Sequence, residues 1–389
     1  MPRCAAVPAR SLAALAAVYV LVLGGLRLTV AAPERCGDVT TADMRAAALD
    51  GARWLSRNQD ADGSYLYDYS PARGALDEYN AVRHAGATLA LYQAARLDRR
   101  FLTPADRGLQ WMRNRLVVRD DWAALPDGAT WAPLGGDALM LAALAERRAL
   151  TADDRYDATM RDLGRFIVAL QRRDGGFYIA YDLVANDVVR EGTSPYYPGE
   201  ATWALARLAN ALPHEPEWRR PAMRGATFIA VQRDAVEGVD FPPLNDHWGA
   251  YAFAEMARWP LSDAQADYAE LLYGRFHLLL RSQAQRDNGG LYSVTHSLYR
   301  RGAAVGTWVE GLGALARLAR VDARLRDRRD AIDAAATCGA GVLARRQSHD
   351  RTNPRVDGAW YADDATRVDD QQHPISGLLA VAALADRRS

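Results

Sequence analysis

The sequence predicts an all-α protein in which six helical hairpins close into an (α/α)6 toroid, an inner ring of helices inside an outer one. Three observations lead there. An aromatic, a helical turn, a Gln and then Asp/Asn-Gly-aromatic recur at intervals of tens of residues, as expected of an array whose units cover one another's apolar faces. Apolar residues recur at helical spacing in twelve segments that alternate between two compositions. The connections between these segments alternate between short and long. With 389 residues, 49% of them hydrophobic, and no linker-like shift in composition, one large domain is the economical arrangement.

The N-terminus carries Arg3 and Arg10, an apolar run from Ser11 to Leu26, and the small residues Thr29-Val30-Ala31-Ala32. Residues 1–32 therefore read either as a cleaved signal peptide or as a signal anchor that would hold the protein to a membrane. Residues 33–389 then form a single exported toroid domain. Its outer helices are amphipathic and rich in Arg and Asp, at about 42–59, 103–116, 151–172, 216–233, 262–283 and 322–347. Its inner helices are rich in Ala, Leu and Gly, at about 84–97, 135–147, 197–212, 246–259, 305–321 and 371–387. Stretches such as Gly377-Leu378-Leu379-Ala380-Val381-Ala382-Ala383-Leu384 are apolar almost all round, as a helix with protein on every side requires. A closed ring makes the first and sixth outer helices neighbours. Cys36 and Cys338 then either pair in an oxidising compartment, or Cys338 is a small buried side chain and Cys36 a free thiol.

The best copies of the motif are Trp54-Leu55…Gln59…Asp62-Gly63-Ser64-Tyr65 and Phe166-Ile167…Gln171…Asp174-Gly175-Gly176-Phe177. Looser copies follow at Gln283…Asn288-Gly289-Gly290-Leu291-Tyr292 and Gln347…Asp357-Gly358-Ala359-Trp360, and at Trp111-Met112 a Leu116 replaces the Gln. This pattern resembles the Gln-Trp repeats of the α/α-toroid superfamily, whose squalene cyclase and prenyltransferase members carry them. The resemblance covers the chain from about residue 40 onward. It implies that the Gln and Gly residues are structural, tying the end of each outer helix to the following turn. The catalytic signatures of that family are missing: there is no Asp-x-Asp-Asp acid motif, no Gly-Cys-Gly-Glu-Gln thioester and no evident zinc site. The resemblance therefore implies fold and not activity.

Inner-to-outer connections are short, whereas outer-to-inner connections run from about a dozen to over twenty residues, so the long loops and all six inner-helix N-termini gather on one face. Helix N-termini aimed at one mouth favour an anionic ligand. Each inner-helix start also carries polar residues that an apolar core does not need: Arg83-His84, Asp137, Tyr196 to Glu200, Asn245 to Trp248, Thr307 to Glu310, and Asp370 to His373. Glu310 stands out, because a carboxylate among Gly311, Leu312 and Gly313 is expensive unless compensated. Asp246 and Asp137 also fit as N-caps, Glu200 as a first-turn carboxylate beside Pro198, and His84 and His373 as satisfied core histidines.

Composition narrows the chemistry. All 48 basic residues are Arg, so Schiff-base chemistry, covalent pyridoxal phosphate and a lysine phosphate loop are excluded. Zero net charge gives no electrostatic case for nucleic acid. The sequence thus points to an exported carbohydrate-active enzyme, a hydrolase or an epimerase or lyase, acting on an anionic envelope or extracellular glycan without cofactor or metal. Acid–base catalysis would fall to Glu310, Glu200 and Asp246 with His84, His247 and His373. Tyr196, Tyr197, Trp248, Trp308 and Gln372 would contact the sugar, and Arg83, Arg300 or Arg301 would fork onto a carboxylate. The alternatives are a non-catalytic glycan-binding or assembly protein and a terpenoid cyclase or prenyltransferase-like enzyme, the latter requiring an apolar, aromatic-lined cavity.

Overall fold

The computed structural model describes residues 9–29, 36–76, 78–239, 244–287 and 299–385. Helix α1 (Ala9–Thr29) contains a 19-residue stretch, Arg10–Leu28, of mean hydropathy 2.0 with no part of it buried. Six helix pairs follow, the first member of each outer and the second inner. They are α2 (Thr41–Arg57) with α3 (Ala81–Ala94), α4 (Leu102–Arg113) with α5 (Leu134–Thr151), and α6 (Asp157–Ala169) with α7 (Tyr197–Ala211). Next come α8 (Arg219–Thr227) and α9 (Arg233–Glu237) with α10 (His247–Glu255), then α11 (Asp263–Asp287) with α12 (Gly302–Leu318), and α13 (Arg329–Arg346) with α14 (Asp369–Ala385). Consecutive inner helices pack on one another around the ring and α14 packs back on α3, while the outer helix α2 lies against α14. The toroid is closed, and its core is the apolar surface between the two rings.

The Gln-Gly motif explains how neighbouring hairpins are registered. Gln59 Nε2 donates to the Gly63 carbonyl of its own turn (3.1 Å) and to Pro104 in the next outer helix (3.0 Å). Gln171 repeats this on Gly175 (3.2 Å) and Pro221 (2.9 Å). The copy that looks degraded in sequence is complete in space: Gln347 donates to Gly358 (2.8 Å) and to Ala47 of the first outer helix (2.9 Å). Each turn needs its glycine. At Gly358 the backbone is left-handed (φ +85°), and a Cβ there would stand 2.7 Å from the Asp50 carbonyl oxygen. The copy at 288–292 lies outside the described residues.

Two further links join the ends of the ring. Strand Asp68–Ser70 of the first long loop pairs antiparallel with Thr366–Arg367 of the last, and Cys36 is disulfide-bonded to Cys338 with Cα atoms 4.8 Å apart. Of the two alternatives for the thiols, the paired one holds.

Two boundaries differ from those read in the sequence. The third outer helix begins at Asp157 and not near 151, because α5 continues to Thr151 and ends where Ala152 turns left-handed (φ 57°). The polar residues of that last turn are buried and paired: Glu146 with Arg207 (2.7 Å), and Arg147 with Asp106 and Asp153 (2.9 Å each). The fourth outer segment is not continuous. A π-helical turn at Phe228–Gln232 shifts the helix phase and turns Arg233 into the interior.

Candidate active site

All six inner-helix starts line one cavity of about 450 Å³ at the long-loop face. Its wall includes Asn80 and Arg83 of the first inner helix, Leu139 of the second, Tyr197 and Glu200 of the third, and His247 and Trp248 of the fourth. Thr307 of the fifth and Asp369, Gln372 and His373 of the sixth complete it, with Tyr196, Arg300 and Arg301 from the loops. The lining mixes apolar surface with charged and hydrogen-bonding side chains from every side, unlike the apolar funnel that a cyclase requires.

At one wall, four groups from three helices meet. His373 Nδ1 lies 2.7 Å from Glu310 Oε2, His247 Nε2 lies 3.8 Å from the same oxygen, and the Tyr251 hydroxyl donates to Glu310 Oε1 at 3.3 Å. The contact depends on close backbone approach: at Gly306, one turn before Glu310, a Cβ would collide with the His373–Pro374 backbone. Burial raises the Glu310 pKa, against the pull of His373. Burial also opposes charge on His373, but Glu310, Asp369 and Asp370 outweigh it, so its pKa lies above the ordinary value. His247 differs. Both of its ring nitrogens are buried without a hydrogen-bond partner, and burial, reinforced by His373, holds its pKa well below the usual range. The two imidazoles stand edge to face with centroids 5.2 Å apart.

The ligand atoms of His247, Glu310 and His373 all lie within 4.8 Å of one another. A tetrahedral metal with bonds of ~2.1 Å keeps its ligand atoms roughly 3.4 Å apart. The 2.7 Å contact between His373 and Glu310 is shorter than that and fits a shared proton.

Glu200 lines the cavity from α7. Burial first, then Asp246, pushes its pKa up to about 8, while Oε2 has no partner. Tyr197 beside it is raised to about 12 by burial and by Glu200.

The other residues singled out in the sequence divide in two. Trp248, Tyr196, Tyr197, Gln372 and Arg300 line the cavity. Arg83 and Arg301 also line it, but their guanidinium groups are engaged, with Asp369 at 3.2 Å and with Asp370 at 2.6 Å. Among the described residues Arg300 has no ion pair and is exposed. Trp308 is buried away from the cavity. Two expectations need correction. His84 does not reach the cavity: Tyr79 Oη (2.7 Å) and the Gly108 carbonyl (2.9 Å) occupy its two nitrogens, it stacks on Trp111, and burial lowers its pKa to about 3. It is a neutral core histidine. Asp246 is not a free acid or base either. It caps α10 through Gly249 N (2.8 Å) and pairs with buried Arg233 at 2.7 Å.

Sequence reasoning missed Arg233, Tyr251 and Asp369. Tyr251 had a signal, since it follows His247 by four residues and so shares its helix face. Arg233 had none, because only the π turn brings it inside.

No protein-family model and no curated protein sequence matches the chain. Solved structures do. The chain is similar to cellobiose 2-epimerase from Spirochaeta thermophila (TM-score 0.60, 13% identity), with 89% of this chain and 98% of that one covered. It is similar to D-mannose isomerase (TM-score 0.63, 13% identity; 89% and 98% covered) and to an unsaturated glucuronyl hydrolase specific for heparin (TM-score 0.61, 10% identity; 89% and 99% covered). At such identities the likeness shows the fold alone, an α/α toroid.

Proposed function

We propose that this protein is an exported carbohydrate-active enzyme of the epimerase or isomerase type, which moves a proton at the carbon beside a sugar carbonyl. One observation carries the reading: an imidazole with both nitrogens unpaired, His247, faces an imidazole hydrogen-bonded to a buried carboxyl, His373 with Glu310. Two titratable groups whose surroundings drive their pKa values apart supply a base and an acid at one pH. His247 takes the proton from carbon, His373 gives or receives one at the far face or at the carbonyl oxygen, and Tyr251 with Glu310 keeps His373 in place. Tyr196, exposed at the cavity, offers a face to a sugar ring, and the cavity volume suits a mono- or disaccharide. Arg300 at the rim is suited to a negatively charged substituent. Glycoside cleavage is less well supported: Glu200 could supply an acid, but the carboxylate that must accompany it is not free, since Glu310 is engaged by His373, Asp246 by Arg233 and Asp369 by Arg83 and Arg367. The names of the similar structures agree with a sugar substrate without carrying the argument. The disulfide and helix α1 support export, with residues 1–32 as signal peptide or anchor and 33–389 as the functional domain.

The test is proton exchange. Purified protein is incubated in D2O with D-mannose, D-glucuronate and cellobiose, and deuterium at the carbon beside the carbonyl is followed by NMR. We expect enzyme-dependent exchange in at least one sugar, reduced about 10²–10⁴-fold in His247→Gln and Glu310→Gln, with melting temperatures of the variants within a few degrees of wild type. Sugar release from a glycan without exchange would make the protein a hydrolase, and binding without either reaction would make it a binding protein.

A further inference from the structure

The His247–Glu310–His373 group explains proton transfer at carbon but leaves unexplained the buried carboxyl that α7 contributes to the same cavity. Glu200 is built into its position. Its Oε2 lies so close to Gly135 of the second inner helix that a Cβ there would collide with it. Among the described residues no Arg or His pairs with it, and Oε2 is buried without a partner. A carboxylate in that position would be an uncompensated charge, so the group is a neutral acid at neutral pH. A neutral carboxylic acid is a poor base and a good proton donor.

An epimerase or isomerase needs such a donor. Most free aldoses are cyclic hemiacetals, and the hydrogen next to C1 is not acidic until the ring opens to the aldehyde. We propose that Glu200 is the ring-opening acid of this site, so that the substrate class is a cyclic, hemiacetal-forming sugar and not an open-chain carbonyl compound. This rests on the proton-transfer function proposed above. In the step, Glu200 gives its proton to the ring oxygen as the C1–O5 bond breaks and the bonding pair goes to O5. The anomeric hydroxyl loses its proton to solvent as C1=O1 forms, and Glu200 regains a proton from solvent. Protons balance and no co-reactant is required. The aldehyde then has an acidic C2–H for His247.

The test compares two kinds of probe in wild type and Glu200→Gln: the cyclic sugars D-mannose, D-glucuronate and cellobiose, and D-erythrulose, a four-carbon ketose that cannot close a stable ring. With each, deuterium uptake from D2O is measured across pH. Glu200→Gln is expected to slow exchange into the cyclic sugars about 100-fold and to leave erythrulose exchange within about twofold, which also shows that the variant is folded. In wild type an alkaline limb near pH 8 is expected with the cyclic sugars and not with erythrulose. If the variant loses both kinds of substrate equally, or neither, the ring-opening role is wrong while the His247 mechanism stands. If wild type exchanges erythrulose but no cyclic sugar, the ring-opening role fails by itself. Wild type that exchanges none of the probes overturns the underlying function and this inference with it.

Discussion

Asp246 and His247 are adjacent in sequence and equally buried, yet they belong to clusters that meet the cost of burial in opposite ways. Around Asp246 every demand is met. Arg233 is fully buried and reaches Asp246 (2.7 Å), Glu237 (2.8 Å) and the Ser194 carbonyl (2.9 Å), while the remaining Asp246 oxygen caps α10. Around His247 both nitrogens are left open, and the nearest carboxylate, Glu310, is already bound to His373. A satisfied buried cluster holds the scaffold, whereas an unsatisfied one facing a cavity is poised for a ligand. The comparison separates structural from chemical residues more sharply than burial or charge alone.

The comparison predicts a large structural effect on one side. Arg233→Met leaves Asp246 and Glu237 buried without their cation and should cost about 3–5 kcal/mol in denaturant unfolding. A loss below about 1 kcal/mol would mean that the cluster is as open as the histidine site and that the distinction fails. A smaller effect is expected at the ring seam. Gln347→Ala removes the two hydrogen bonds between the last turn and the first outer helix and should cost about 1–3 kcal/mol. Sugar exchange should be unchanged, because the seam does not touch the cavity. Measured with and without reductant, the loss should be greater once the Cys36–Cys338 bond is open, since the disulfide and Gln347 brace the same pair of helices. No loss in either condition would remove the motif from the account of ring closure.

Much of the fold could be read in the chain because helical periodicity and the Gln-Gly turns are local signals, and the alternation of composition distinguishes the two rings. Glu310 was readable for the same kind of reason: a carboxylate among Gly311, Leu312 and Gly313 has no local explanation, and its partner His373 is 63 residues away. What was not readable depends on phase or on distant partners. The π turn at Phe228–Gln232 rotates Arg233 inward, which converts Asp246 from a candidate acid into a scaffold residue. His84 resembles His373 in sequence, each lying near the start of an inner helix. Only packing shows that Tyr79, Gly108 and Trp111 enclose the first, whereas the second opens onto the cavity. Arg83 looks like a free cation until Asp369 arrives from the other end of the chain.

The histidines also make pH dependence a direct probe. His373 has a raised folded pKa, so the stability it contributes is present below the unfolded value of ~6.5 and is lost as pH rises through the folded one. His247 has a lowered pKa, so its contribution is present above ~6.5 and is lost as pH falls. The most direct test of the central claim is an NMR titration of the two imidazoles in ¹⁵N-histidine-labelled protein, assigned with His247→Gln and His373→Gln. The expected result is a His247 that stays neutral well below pH 6.5 and a His373 that titrates above that pH, and at lower pH in Glu310→Gln. Two imidazoles titrating together near pH 6.5, or in the reverse order, would contradict the assignment of base and acid on which the proposed function depends.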